Sequence, residues 1–165
     1  MKTIKHFALL LAFVLPFATS AQETGMPTDK AAIQHVMEVY HEAVVTHDGN
    51  KLASLFIPDG STWINVLSDD AYRSAKLKNP NASKIRVSSF REFANLVTSS
   101  KVRFNPTHTN VDIHTDGTIA CVYFDFVFLA NGKPQNRGSE TWQLVKDLDG
   151  WRIATIVYSS TPDAK

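Results

Sequence analysis

Two carboxylates and two phenols stand among large aromatic side chains near the C-terminal end, where Tyr123 and Asp125, Glu140 and Trp142, and Thr155 and Tyr158 occupy successive β-rich runs. A carboxyl buried beside Trp142 has a raised pKa and can serve as an acid at neutral pH. A wall that mixes such groups with rings has the composition of a small-molecule pocket. Other constellations offer less. His35, Glu38 and Glu42 share a helical face, but opposite an apolar stripe they read as a solvated side rather than a metal site. His41 and His47 are similarly peripheral, and His108 lies near Pro106, where a bulge would turn it into the cavity. No Gly-x-Ser-x-Gly elbow, Cys/His pair or phosphate-cradling glycine loop is visible, and neither a metal nor a cofactor is expected.

The elements that position these residues are legible from turns and periodicity. Runs over 118–128, 138–146 and 151–158, joined by Asn131-Gly132 and Asp149-Gly150, predict an antiparallel meander. Two-residue turns would place Tyr123, Asp125, Glu140, Trp142, Leu144, Trp151, Ile153, Thr155 and Val157 on one face, read as the pocket wall. Val122, Phe124, Phe126, Thr141, Gln143, Arg152, Ile156 and Tyr158 take the other. The alternative puts Tyr123 and Asp125 in water with the phenylalanine row as core, and a single bulge would reverse part of the assignment.

Upstream, Pro27-Thr28-Asp29 reads as a helix start with Thr28 as N-cap, and Ile33, Val36, Met37, Tyr40 and Val44 recur at helical spacing. His47-Asp48-Gly49-Asn50 ends that helix and caps a short second one, and Pro58-Asp59-Gly60 turns into a strand with Trp63 and Ile64. Residues 68–87 read as a long surface excursion. Ser89 to Glu92 has capping-box spacing and opens a helix with Phe90, Phe93, Ala94 and Val97 inward. A strand over 102–114 follows, with Pro106 marking an edge or a bulge. This order gives an α+β domain with helices on one face of an antiparallel sheet.

At the N-terminus, Lys2 and Lys5 precede an apolar run over 7–15 that Pro16 ends, followed by Ala18-Thr19-Ser20-Ala21. This pattern is a secretory signal peptide cleaved near Ala21, so the chain is expected to be exported, periplasmic or secreted. The run is too short to anchor in a membrane. The expected plan is a signal peptide over 1–21, a short linker over 22–27, one domain over 28–160 and a tail over 161–165. With 17 basic against 16 acidic residues and no basic cluster, neither a nucleic acid nor an anionic membrane is an expected partner. Cys121 is the single cysteine, so the fold has no internal disulfide.

The run His47-Asp48-Gly49-Asn50-Lys51-Leu52-Ala53-Ser54-Leu55-Phe56, the Asp59-Gly60 turn, the helix carrying Phe90 and Phe93, and Trp142-Gln143-Leu144-Val145 with Asp149-Gly150-Trp151-Arg152-Ile153 carry a resemblance. Together they resemble the nuclear transport factor 2-like superfamily, in particular its SnoaL-like and ketosteroid-isomerase-like small bacterial proteins. The resemblance spans about residues 28–160. It implies a cone, with three N-terminal helices packed on a curved antiparallel sheet around a deep apolar pocket, and a homodimer formed through the outer sheet face. It implies less about activity, because that fold hosts isomerases, cyclases, dehydratases, binding modules and transport factors.

In the ketosteroid isomerases a first-helix tyrosine and a late-strand acid stabilise an oxyanion while a first-strand aspartate moves the proton. The resemblance places Tyr40 at that tyrosine and Glu140 close to that acid. The base position falls at Ile64, or at Asn65 if the register slips by one, and neither takes a proton near neutral pH. The expected function is therefore an exported binding protein for a small apolar ligand, with Tyr40, Trp63, Ile64, Tyr123, Asp125, Glu140, Trp142 and Thr155 as ligand-binding residues. The alternative is an isomerase, cyclase or dehydratase with Tyr40, Glu140 and Asp125 as catalytic candidates; a third reading is a dimeric protein-interaction module. Structural roles stand beside these: Tyr40 as a core aromatic, Glu140 as a surface strand residue or a buried partner of Arg137.

Overall fold

The computed structural model describes residues 27–163, so the expected signal peptide lies outside the described residues. In chain order the elements are α1 (Pro27–Val45), α2 (Gly49–Ser54), β1 (Thr62–Leu67), α3 (Asp69–Lys78), β2 (Ile85–Ser88), α4 (Phe90–Ser99), β3 (Phe104–Thr115), β4 (Ile119–Ala130), β5 (Lys133–Asp147) and β6 (Gly150–Pro162). The apolar face of α1 is buried as its spacing predicts, with Ile33, Val36, Met37, Tyr40 and Val44 in the core. Asp29 in its first turn accepts hydrogen bonds from Lys146 Nζ at 2.6 Å and Trp151 Nε1 at 3.2 Å, tying the helix start to the β5–β6 hairpin. Asp48 caps α2 by accepting from the Lys51 N–H at 2.8 Å.

Gly49 lets α2 approach α4. A Cβ there would collide with Thr98 Oγ1 and the Ala94 carbonyl, and backbone atoms cannot swing aside. Gly49→Ala is expected to destabilise the protein by about 2 kcal/mol through overpacking. Urea midpoints at unchanged slope would measure it.

The six strands run in the order β2-β1-β6-β5-β4-β3. Every pairing is antiparallel except β1 with β6. The expected wholly antiparallel sheet is thus corrected to a mixed one, because β1 precedes the meander and lies alongside its last strand in the same direction. The excursion over 68–87 is also more ordered than its composition suggests. Ser68 caps α3 by accepting from the Ala71 N–H at 3.3 Å, and β2 adds an edge strand to β1. No residue of α3 is buried, so the helix left no apolar stripe to read. There are therefore four helices among the described residues rather than three.

Bulges curve the sheet and decide its faces. An extra residue, Gln135, sits between the Phe128↔Asn136 and Leu129↔Pro134 pairs, so Glu140 faces Phe124 rather than Tyr123 across the strands. Ala154 is the extra residue of β6, between the Leu144↔Ile153 and Gln143↔Thr155 pairs. The concave face therefore carries Val122, Phe124, Phe126, Glu140, Trp142, Leu144, Ile153 and Ile156, all buried. Burying a ring such as Phe124 contributes about 2 kcal/mol. The expectation that Tyr123, Asp125, Thr155 and Val157 share this face is corrected: two bulges, not one, shift the parity. A third register shift, between Thr109 and Asp112 in β3, separates His108 on the concave side from exposed His114.

Candidate functional site

A cavity of about 400 Å³ opens between α1, α4 and the concave face. Each element contributes through its register. Tyr40 comes from α1, Trp63 and Asn65 from β1, His108 from β3, Glu140 from β5 and Tyr158 from β6, with Phe93, Phe126 and Phe128 as apolar wall. Tyr40 packs on Trp142 with ring centroids 4.9 Å apart, and His108 lies 4.6 Å from Phe124 and 6.2 Å from Tyr40. His41 donates from Nδ1 to the Pro106 carbonyl at 2.7 Å, which fixes β3 against α1 and brings His108, two residues on, into the wall. Pro106 lies on an edge strand, where its missing N–H costs no ladder bond.

The electrostatics separate these groups. Burial pushes the Glu140 carboxyl up to about 7, against the opposing hydrogen bond from the Trp142 indole, whose Nε1 donates to Oε1 at 2.5 Å. Burial pushes His108 down to about 4, with His41 adding to the shift, so its imidazole is neutral at pH 7. Burial also raises Tyr40 well above its ordinary value, and nearby Glu140 and Tyr158 raise it further. Tyr158 is raised mainly by burial, with the hydrogen-bonding side chains of Trp63 and Asn65 and the charge of Arg86 opposing. A carboxyl half-ionised at neutral pH beside two protonated phenols and a neutral imidazole can take a proton from carbon and hold the oxyanion that results. A depression of about 390 Å³ around Asp116, Ile119 and Cys121 holds no comparable set. Asp116 there is held low by the N–H groups of Ile119 and Thr118, which is turn chemistry.

No protein-family model matches the chain, and no curated protein does. Solved structures do. A protein of unknown function from Shewanella baltica, described as nuclear transport factor 2-like, superposes at TM-score 0.56 with 16% identity, over 82% of this chain and 96% of that one. A candidate dehydratase of the nuclear transport factor 2-like family from Streptomyces avermitilis superposes at 0.59 with 18% identity, over 84% and 98%. The chain has the nuclear transport factor 2-like fold. A candidate scytalone dehydratase from Novosphingobium aromaticivorans is similar in the same way, at 0.61 with 14% identity, over 81% and 85%. In this chain the nuclear transport factor 2-like sheet is curved, and its cone opens onto the cavity just described.

Within that cone the structure brings together Tyr40, Trp63 and Glu140 of the residues singled out from the sequence, and sets Trp142 behind Glu140 and Tyr40. Glu140 takes neither expected structural role: it is buried, and Arg137 instead meets Asp163. Asp125 lies on the outer face, where Asn110 and Ser139 donate to it at 2.8 Å and hold its carboxyl below the ordinary range. Tyr123 beside it is 48% exposed. Ile64 pairs with Val157 and faces outward with it, while Asn65, one residue on, lines the cavity. Thr155 follows the Ala154 bulge and faces outward as well. Turn-based parity puts Tyr158 on the wrong face, and it ties His108 to the cavity only through a bulge near Pro106. The period-two row Val122, Phe124, Phe126, Phe128 is the signal that corrects both, since a continuous phenylalanine row belongs on a buried face.

Proposed function

We propose that this protein binds a small, largely apolar carbonyl compound in the cone and moves a proton on it, an isomerase- or dehydratase-type reaction. The observation that carries this reading is the Glu140 carboxyl, set in the cavity wall with a pKa of about 7. Ionised Glu140 removes a proton from the carbon beside the carbonyl, and the electron pair moves onto the carbonyl oxygen. Tyr40 or Tyr158 donates a hydrogen bond to that oxygen. Protonated Glu140 then returns the proton to another carbon, or gives it to a departing β-hydroxyl, which leaves as water. The dehydratase descriptions of two structural neighbours support this class.

The test uses 2-tetralone in deuterated buffer, followed by proton NMR. The protein is expected to accelerate loss of the C1 proton signals above the buffer rate. No acceleration would remove the catalytic reading and leave simple carriage, which the uncharged Asn65 in the cavity wall favours because it cannot serve as a second carboxylate. The N-terminal residues also support export. Fractionation of a producing bacterium should then place the protein outside the cytoplasm with Gln22 as its first residue.

A further inference from the structure

Four polar side chains lie in one straight row across the sheet. Register pairs Arg86 with Asn65, Asn65 with Tyr158, and Tyr158 with Glu140, across β2, β1, β6 and β5. All four line the cavity. The row runs from an exposed guanidinium at the mouth to a buried carboxyl inside. Three strand spacings separate its ends, roughly 14 Å at the backbone. Trp63, Phe93 and Phe126 line the same cavity, rings that suit a flat apolar body rather than a polar chain.

Arg86 is the one cation lining this cavity among the described residues. Its nearest carboxylate, Glu92, stands 3.9 Å away, with the two side chains 76% and 64% exposed. That distance is too long for a hydrogen bond, and an exposed pair of this kind holds its partners weakly. The guanidinium fork is therefore free for a carboxylate, which it fits with two parallel N–H bonds. We infer that the molecule taken up is a carboxylic acid, its carboxylate on Arg86, its flat apolar body against the aromatic wall and its carbonyl at the Tyr158–Glu140 end. This inference rests on the proposed use of the cavity and names the substrate class. Glu92 also lines the mouth and acts as the competitor that the incoming carboxylate displaces.

The probes are 2-naphthoate and methyl 2-naphthoate, which differ in charge and share a body. Each is titrated against N-phenyl-1-naphthylamine, whose fluorescence reports occupancy of the cavity. The acid is expected to displace the dye about tenfold more tightly than the ester, the value of one charge-assisted contact. Arg86→Gln should bring the ratio close to one, and Glu92→Gln should raise it. Equal affinities of acid and ester in the unaltered protein, or a ratio that Arg86→Gln leaves unchanged, overturn the inference while the cavity reading stands. If the dye does not bind and 2-tetralone is not exchanged, both readings fall together.

Discussion

Glu140→Gln is expected to slow protein-catalysed deuterium exchange into 2-tetralone by a factor of about 10² to 10⁴, the usual contribution of a positioned acid or base. Gln keeps the shape and can still meet the Trp142 indole through its amide oxygen, so the fold should survive and the loss should be chemical. The pH profile separates this from a loss of binding. Carbon deprotonation needs the ionised carboxyl, so the unaltered rate should rise with pH, inflect near the Glu140 value of about 7, and then level off. His108, neutral above about 4, adds no second inflection across that range. Tyr40→Phe should lower the plateau without moving the inflection far, because the phenol stays protonated well above its ordinary value. A rate that keeps its full magnitude in Glu140→Gln would remove Glu140 from the reaction.

The fold is legible in the sequence because its signals are local and redundant. Helical periodicity marks the face of α1 that the structure buries, and the Asn131-Gly132 turn survives with both residues at positive φ, as a tight hairpin needs. Tyr40, Trp63 and Glu140 are legible as cavity residues by resemblance and by their aromatic setting. Parity is what fails. One extra residue at Gln135 and one at Ala154 each reverse every side chain beyond them; Pro134 stands beside the first as a mark of a bulge, but no glycine or proline announces the second. The first sends Tyr123 and Asp125 outward and Phe124 in. The second brings Tyr158 into the row with Glu140. The second turn also lies one residue earlier than its Asp149-Gly150 signal: it is made by Leu148 and Asp149, with Leu148 fully exposed, a position that hydrophobic patterning assigns to a strand. The polar row from Arg86 to Glu140 is beyond reach of the sequence for a further reason, since it needs β2, an edge strand that leaves no alternating pattern among exposed Ile85, Arg86 and Val87.

Two opposed shifts in one cavity make a second large effect, on stability rather than rate. His108 has a folded value near 4 against an ordinary 6.5, so between those limits the unfolded chain binds the extra proton and stability rises with pH. Glu140 has a folded value near 7 against 4.5, so between those limits the folded protein binds the extra proton and stability falls as pH rises. Burial is the leading cause of each shift, and neither group is a cause of the other's. From about pH 4.5 to 6.5 the slopes therefore cancel, and the unaltered protein should show nearly constant urea midpoints across that window. The lowered carboxyls of Asp29, Asp69, Asp116 and Asp125 act below it, where stability is lost as they take up protons. Glu140→Gln removes the falling arm, so this variant should gain about 3 kcal/mol between pH 4 and 6.5, since each tenfold change in proton affinity is worth about 1.4 kcal/mol. His108→Gln should do the reverse, losing about 3 kcal/mol between pH 4.5 and 7. The double variant should be flat again. Single variants with pH profiles as flat as the parent would mean that neither group titrates from a buried site, and the acid–base assignment of Glu140 would lose its physical basis.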